Sequence, residues 1–236
     1  MRTRVKFCGL VRPEDVDAAV AIGADAIGFV FFSRSPRCID VETARMLRRR
    51  LPSYVCAVGL FVNESAENVR RVSAQVGIDL LQFHGDETPA QCAAASVIDP
   101  ASTASRPFWR AVRMGGPGDL LESEALFGEA EAFLLDTLSD GYGGSGKRFD
   151  WSWVPELRAR PVVLSGGLTA QTVGQGIARV HPMAVDVSSG IQGANPRQKD
   201  AEKMELFMAE VIAADARAGS LRSAMNHRAN LRPNPQ

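Results

Sequence analysis

Short apolar segments alternate with longer amphipathic segments along most of the chain. The short segments are rich in β-branched and aromatic residues, and the longer ones repeat apolar residues at helical spacing. Such alternation is typical of a parallel sheet with crossover helices. The pattern predicts strands at residues 4–8, 26–31, 55–61, 80–83, 109–112, 133–136, 162–165 and 184–187. It predicts helices at residues 14–22, 41–51, 66–76, 89–95, 119–127, 151–157, 170–180 and 199–214.

Residues at the predicted helix ends support these boundaries. Pro13 suits the first turn of its helix, where the missing N–H has no helical partner to lose. Ser65 can cap the third helix, with Asn68 at the position that Glu usually takes in a capping box. Gly23 and Gly77 directly follow helices, where glycine adopts the left-handed conformation without a steric penalty.

The number of strand–helix units predicts the fold. Eight units in 236 residues favour a single closed (β/α)8 TIM barrel, because an open doubly wound sheet more often has about five or six strands. No G-x-G-x-x-G motif follows the first strand. We therefore expect one catalytic barrel domain over residues 1–216. Residues 217–236 lack apolar periodicity and contain Pro233 and Pro235, so a short disordered C-terminal tail is expected.

The composition excludes several functional classes. Hydrophobic residues make up 45% and charged residues 23% of the chain, as in soluble proteins with a sizeable core. Lys+Arg and Asp+Glu both number 27, so net charge gives no attraction to nucleic acid or to an anionic membrane. No apolar run approaches the ~18 residues of a membrane span, and no signal peptide is visible, so a cytoplasmic protein is expected. The 4 cysteines lack metal-ligand spacing, so neither disulfides nor a metal site is expected.

Polar and small residues collect where the predicted strands end. In a barrel, the loops at the carboxyl ends of the strands form the active site, and Cys8, Arg37, His84, Asp136 and Asp186 lie at or near such ends. Small residues follow the last two strands, where barrels bind phosphate through backbone N–H groups. These residues are Gly166, Gly167 and Leu168 after the seventh strand, and Ser188, Ser189 and Gly190 after the eighth. Each loop alone could be a tight turn, but together they predict a phosphorylated small-molecule substrate.

Two of these residues are candidates for acid–base catalysis. Asp136 ends an apolar run at residues 132–135, where desolvation would keep a transferable proton on the carboxyl; a turn-capping aspartate is the alternative. Cys8 could act as a thiolate base or be an inert buried thiol. Lys6 lies two residues earlier and should point to the same side of the strand. Its ammonium could stabilise the thiolate or serve only the structure.

Nine motifs resemble those of the phosphoribosylanthranilate isomerases and occur in the order found in that family. They are KFCG, GADAIGFVF, SPR, VGLFVN, LQFHG, LLDT, GGSGKRFDW, LSGGL and DVSSG. The resemblance runs from Val5 to about Glu210 and so covers the whole predicted barrel. One such motif would be weak evidence, but nine in order make a specific resemblance.

The resemblance implies an Amadori rearrangement in tryptophan biosynthesis, without a cofactor or a metal. The substrate would be N-(5-phosphoribosyl)anthranilate and the product 1-(2-carboxyphenylamino)-1-deoxyribulose 5-phosphate. The match implies that Asp136 is the general acid at the ring oxygen and that Cys8 is the general base at C2′. It implies that Arg37 holds the anthranilate carboxylate and that the glycine and serine loops hold the phosphate.

Other matched residues have no single implied role. His84 and Asp186 lie in motifs near the reacting sugar, where they could bind substrate or only stabilise the site. Asn63 and Gln82 stay open in the same way. The resemblance also leaves open whether the protein is a monomer or a homodimer.

Two other functions fit parts of the sequence. The histidine-pathway isomerase performs the same rearrangement on a related barrel, but by family resemblance it has an aspartate where this chain has Cys8. A silent barrel that only binds a phosphorylated ligand or a partner enzyme would not need Cys8, Arg37 and Asp136 together. The sequence therefore favours the tryptophan-pathway isomerase over both.

Overall fold

Eight parallel strands pair in chain order, and the last pairs with the first to close a barrel. The computed structural model describes residues 2–99, 101, 104–138 and 148–230, with side chains as far as Ser220. The strands are β1 (Arg4–Cys8), β2 (Ala26–Val30), β3 (Cys56–Phe61), β4 (Leu80–Phe83), β5 (Phe108–Met114), β6 (Ala132–Thr137), β7 (Val162–Leu164) and β8 (Ala184–Val187). The closed barrel predicted from the alternating segments is confirmed.

Helices follow most of the strands. They are α1 (Pro13–Ile22), α2 (Val41–Arg48), α3 (Ala66–Val76), α4 (Pro89–Ser96), α5 (Asp119–Leu126), α6 (Ala170–Val180) and α7 (Ala201–Asn230). The helix predicted at residues 151–157 is wrong, because only a 3-10 turn forms there, at Trp151–Trp153. Pro155 explains the difference. A residue before proline avoids helical backbone, and Val154 is extended, with φ −82° and ψ 114°.

The predicted helix ends are largely confirmed. Pro13 lies in the first turn of α1, and the Ser65 side chain accepts a hydrogen bond from the Asn68 backbone N–H at 3.2 Å. The Asn68 side chain itself accepts from Arg71, so it does not complete the capping box expected of it. Gly23 and Gly77 end α1 and α3 with φ of 93° and 78°, as a left-handed cap requires.

Helix α7 is longer than the sequence predicts. Its backbone is helical to Asn230, whereas the pattern predicts a helix end at residue 214. The helical backbone therefore continues past the expected barrel boundary at residue 216. Residues 231–236 of the predicted tail lie outside the described residues, as do residues 143–147 of the GGSGK motif. No described helix combines the length and apolar character that crossing a membrane requires.

Alternation along the strands divides the buried apolar side chains into two cores. Successive strand residues point to opposite sides, so one set fills the barrel and the other packs beneath the helices. The inner core consists of Ala26, Val58, Leu80, Trp109, Ala111, Ala132, Leu134, Val163 and Ala184. The larger outer core includes Phe7 of β1 and Phe207 of α7, whose rings meet edge to face at 6.3 Å. The same alternation decides which polar residues enter the mouth of the barrel.

We expect the first part of α7, but not its end, to stabilise the barrel. Phe207 is fully buried, and Asp215 accepts hydrogen bonds from the N–H and hydroxyl of Thr3 at 2.6 and 2.7 Å. Truncation after Ala216 keeps these contacts, so melting temperature and activity should stay nearly unchanged. Phe207→Ala should lower the free energy of unfolding by about 3–5 kcal/mol through cavity formation. Chemical denaturation of both variants is the test; a large loss on truncation would contradict it.

Candidate functional site

A set of buried polar residues lies above the inner core, toward the carboxyl ends of the strands. On β6, Asp136 comes two residues after the inner-core residue Leu134, and on β8, Asp186 comes two residues after Ala184. Strand alternation therefore turns both carboxylates into the barrel. The whole set is Lys6, Cys8, Gln82, His84, Asp136, Ser165 and Asp186, all less than a tenth exposed. Four of the predicted site residues are thus brought to one mouth.

A buried ion pair joins the first and eighth strands. Lys6 Nζ lies 2.7 Å from Asp186 Oδ1, and the two residues are direct partners in the parallel β1–β8 register. Asp186 Oδ2 also accepts a hydrogen bond from Ser165 at 3.3 Å. Burial disfavours the charge on Lys6, but the Asp186 carboxylate and the Cys8 sulfur together raise the pKa of Lys6 above its usual value. Asp186, expected beside the sugar, is therefore held by two protein partners.

The Cys8 sulfur lies next to this ion pair. Cys8 is 5% exposed, and burial raises the pKa of its thiol because water no longer solvates the thiolate. The positive charge of the Lys6 ammonium opposes that shift. The thiolate of Cys8 therefore depends on nearby cations.

On the opposite side of the mouth, Asp136 is bonded to His84. Asp136 Oδ1 accepts from the Thr137 backbone N–H at 2.8 Å, and Oδ2 lies 3.1 Å from His84 Nε2. The Gln82 amide nitrogen lies 2.9 Å from His84 Nδ1. An amide nitrogen can only donate, so this network assigns the ring hydrogen to Nε2, which then donates to Asp136. His84 and Gln82, left open by the sequence, therefore fix the orientation of the Asp136 carboxyl.

The two predicted phosphate loops pack against each other beside Cys8. The Ser188 hydroxyl donates to the Cys8 carbonyl at 3.0 Å. A Cβ added to Gly190 would collide with the backbone carbonyl of Leu168, so the loops after β7 and β8 meet backbone to backbone. The Leu168 side chain is buried in the outer core. Only its backbone can therefore serve the ligand role predicted for it.

Lys199 supports the second loop and was not singled out by the sequence. Its ammonium donates to the Ser188 carbonyl at 2.8 Å and lies 3.2 Å from the Ser188 hydroxyl. Lys199 is 4% exposed, and burial together with the charge of Arg37 lowers its pKa to about 8. The sequence gives no local signal for this role, because Lys199 lies at the start of the helix predicted at residues 199–214, where a polar residue is ordinary.

Arg37 reaches the mouth from the loop after β2. One terminal nitrogen donates to Gln192 Oε1 at 2.6 Å. Its Nε is buried without a hydrogen-bond partner among the described residues. Burial lowers the pKa of the guanidinium, but an arginine stays charged in proteins. Arg37 therefore carries a positive charge with an unused buried donor, and its role as a carboxylate clamp stays a prediction.

Asn63 belongs to the scaffold of the loop after β4. It adopts a left-handed backbone with φ 51°, and its side-chain oxygen accepts from the Asp86 N–H at 2.6 Å. Glu87 accepts from the N–H groups of Asn63 and Gly85 at 2.7 and 2.9 Å and forms a buried ion pair with Arg110 at 2.8 Å. These bonds hold the segment that carries His84.

The charges of the mouth suit an anionic ligand. Lys6, Arg37 and Lys199 supply cations on the β8–β1–β2 side, and the glycine and serine loops add backbone N–H groups there. In the described part of the chain, no three His, Cys, Asp or Glu residues are grouped to hold a metal ion. The arrangement can bind two anionic groups and offers a thiol and a carboxyl for proton transfer.

Comparison with known proteins identifies the family. The family model for N-(5'phosphoribosyl)anthranilate (PRA) isomerase matches residues 5–210. The chain belongs to this family. The N-(5'-phosphoribosyl)anthranilate isomerase of Leptothrix cholodnii is 54% identical over 217 residues, which are 92% of this chain and 94% of that protein. The corresponding isomerase of Methylibium petroleiphilum is 50% identical over 220 residues, which are 93% of this chain and 99% of that protein.

Solved isomerase structures share the fold. The crystal structure of phosphoribosyl anthranilate isomerase from Thermotoga maritima has a TM-score of 0.80 and 38% identity, over 89% of this chain and 99% of that chain. A structure of phosphoribosyl anthranilate isomerase in complex with reduced 1-(o-carboxyphenylamino)-1-deoxyribulose 5-phosphate has a TM-score of 0.77 and 36% identity, with the same coverage. The confirmed resemblance thus extends over the whole barrel.

Gly190→Ala should disrupt the anion site of this isomerase-family barrel. The new methyl group collides with the Leu168 carbonyl, so the loop must move, at a cost of about 1–3 kcal/mol. Inorganic phosphate should raise the melting temperature of the unaltered protein by mass action, and this rise should shrink or vanish in the variant. Gly116→Ala, where an added Cβ meets nothing within 4 Å, is the control. An equal phosphate effect in both variants would place the anion elsewhere.

Proposed function

We propose that the protein converts N-(5-phosphoribosyl)anthranilate into 1-(2-carboxyphenylamino)-1-deoxyribulose 5-phosphate in tryptophan biosynthesis, with Asp136 as general acid and Cys8 as general base. Family membership supports the reaction. The observation that carries the residue assignment is that Cys8 ends β1 and Asp136 is the last residue but one of β6, both buried and both on the inner side of one barrel. They differ in surroundings, since Cys8 has cations beside it and Asp136 has an imidazole.

The reaction begins with proton transfer at the furanose ring. The Asp136 carboxyl donates a proton to the ring oxygen, the C1′–O bond breaks, and the nitrogen lone pair forms the iminium bond. A general acid needs a fixed direction, and the bonds to Thr137 and His84 hold the Asp136 carboxyl in place. The same carboxyl is then an anion.

The second proton transfer is at C2′. The iminium group acidifies C2′–H, so a thiolate can remove that proton and leave an enolamine; Cys8 then becomes a thiol. Tautomerisation of the enolamine moves a proton to C1′ and gives the ketone. The two steps need groups of opposite protonation state on either side of C1′, one at the ring oxygen and one at C2′, and in this proposal Asp136 and Cys8 provide them.

The phosphate and the carboxylate of the substrate bind on the cationic side of the mouth. Arg37 holds the anthranilate carboxylate, for which its planar guanidinium is well suited. The backbone N–H groups of Gly166 to Leu168 and of Ser188 to Gly190 hold the phosphate, with Lys199 behind them. The enzyme acts on a small molecule in the cytoplasm, without a cofactor, as a monomer or a homodimer.

The alternatives fit less well. The histidine-pathway isomerase resembles this barrel but has an aspartate at the position of Cys8. A silent ligand-binding barrel gains nothing from burying Cys8 beside Lys6 and Asp136 beside His84. A fluorescence assay that follows the loss of freshly made phosphoribosylanthranilate separates the proposed function from both alternatives, neither of which predicts that loss.

Asp136→Asn should reduce turnover by about 100-fold or more, because an amide cannot donate an acidic proton to the ring oxygen. The fold should survive, since asparagine can still accept from the Thr137 N–H. The measurement is kcat in the fluorescence assay, with circular dichroism as the check on folding. Asp17→Asn, which changes an exposed carboxylate of α1, should have no effect on kcat. Near-normal turnover of the Asp136 variant would end the assignment.

Arg37→Ala should lower kcat/KM chiefly through a higher KM, because the substrate carboxylate loses its charged partner. Arg34→Ala is a matched control, since Arg34 is an exposed arginine of the same loop. Steady-state kinetics with both variants decide the point. An unchanged kcat/KM in Arg37→Ala would remove this residue from the substrate site.

A further inference from the structure

Burying a lysine side chain inside a barrel costs free energy, so the position of Lys6 calls for an explanation. Lys6 is 1% exposed and lies on the inner side of β1, where the strands below it contribute alanine, valine and leucine. Moving an ammonium out of water costs several kcal/mol unless partners compensate. Asp186 supplies the compensating charge at 2.7 Å. An apolar pair would fill the same space without this cost, so stability alone does not account for the charges.

The strand register brings Lys6 to Cys8 rather than only to Asp186. In the β1–β2 pair, Cys8 is the direct partner of Gly28. A Cβ at Gly28 would lie 2.7 Å from the Cys8 sulfur and 3.0 Å from Lys6 Nζ, which is closer than contact distance. The missing side chain of Gly28 thus leaves the space in which ammonium and sulfur meet. Both groups point into this space, so the charge of the ammonium acts on the sulfur at short range.

The geometry points to Lys6 as a positioning residue that, anchored by Asp186, holds the Cys8 sulfur as a thiolate ready to accept the C2′ proton. This inference rests on the proposed role of Cys8 as general base. Lys6 does not transfer a proton itself. It stays an ammonium before and after the step, while the thiolate becomes a thiol.

Among the charged residues around Cys8, Lys6 has the largest effect on the pKa of the thiol. Burial raises the pKa of the thiol, Lys6 is the strongest influence that lowers it, Asp186 raises it, and Lys199 lowers it more weakly. Arg37 faces the same sulfur from the loop after β2. Because the pKa of Lys6 is itself raised, the ammonium persists through the pH range in which the thiol ionises.

The test is the pH dependence of Cys8 alkylation in the free enzyme. In Lys6→Met, the pH midpoint for alkylation of Cys8 by iodoacetamide should rise by about one unit or more, because the thiolate loses its neighbouring ammonium. Peptide mapping follows the reaction at Cys8. A rise of one unit lowers the thiolate fraction about tenfold at any pH below the midpoint. At neutral pH kcat/KM should fall by about tenfold or more and recover as pH rises, because hydroxide then forms the thiolate. A merely structural lysine would not move this midpoint.

Two further variants keep the inference testable if Lys6→Met does not fold. Lys6→Met/Asp186→Asn removes both charges and leaves no unpaired carboxylate. Gly28→Ala keeps both charges but pushes the ammonium and sulfur apart. The midpoint should rise in each, because the double variant lacks the ammonium beside the sulfur and the new methyl group of Gly28→Ala displaces it. An unchanged midpoint in any folded variant of the three would overturn the role of Lys6.

Controls separate this inference from the proposed function. Lys203→Met removes a half-exposed lysine of α7 and should leave the midpoint unchanged. Cys38, Cys56 and Cys92 are internal references in the same peptide map. Cys8→Ala should lose activity at every pH. Full activity in Cys8→Ala would overturn Cys8 as the base. If Cys8→Ala is inactive but the alkylation midpoint is the same with and without Lys6, only the role of Lys6 is overturned.

Discussion

The ion pair between Lys6 and Asp186 joins the first strand of the barrel to the last. Neither charge could stay in so dry a place alone, and removal of one partner from a buried pair costs about 3–5 kcal/mol. The parallel register fixes the pair, because the two residues are direct neighbours across the strands that close the barrel. The pairing that closes the sheet therefore also sets the electrostatics of the mouth. Cys8, two residues along β1, is placed by it.

Side chains alternate between the inner and outer sides of each strand, and this alternation arranges the interior of the barrel in layers. Small and aliphatic residues such as Ala132 and Leu134 fill the lower part of β6, and Asp136 continues the same inner row at its end. The row on β8 runs from Ala184 to Asp186 in the same way. On each of these two strands, the inner residue changes from an apolar core residue to a buried carboxylate within two positions. The outer rows meanwhile bind the barrel to its helices, as Phe7 does with Phe207.

Local signals were enough to predict the strands, most helices and the position of Lys6 and Cys8 on one side of β1, because period and capping act over a few residues. The helix predicted at residues 151–157 failed on a local rule that the apolar pattern concealed, namely the effect of Pro155 on Val154. Contacts between distant segments could not be predicted. Gln192 meets Arg37 across 155 positions of sequence, and Lys199 supports Ser188 through a side chain that resembles any polar helix start. Such partners are set by the folded loops alone.

The mouth is asymmetric, and the asymmetry suits a substrate with unlike ends. Lys6, Arg37 and Lys199 lie on the side of β8, β1 and β2, where the phosphate loops also lie. The side of β4 and β6 carries Gln82, His84 and Asp136, bonded in one chain. A phosphorylated sugar that bears a carboxylate would turn both anionic groups toward the cations. The fixed charges therefore favour one orientation of such a ligand, and a single orientation is the geometric condition for the proposed division of acid and base between Asp136 and Cys8.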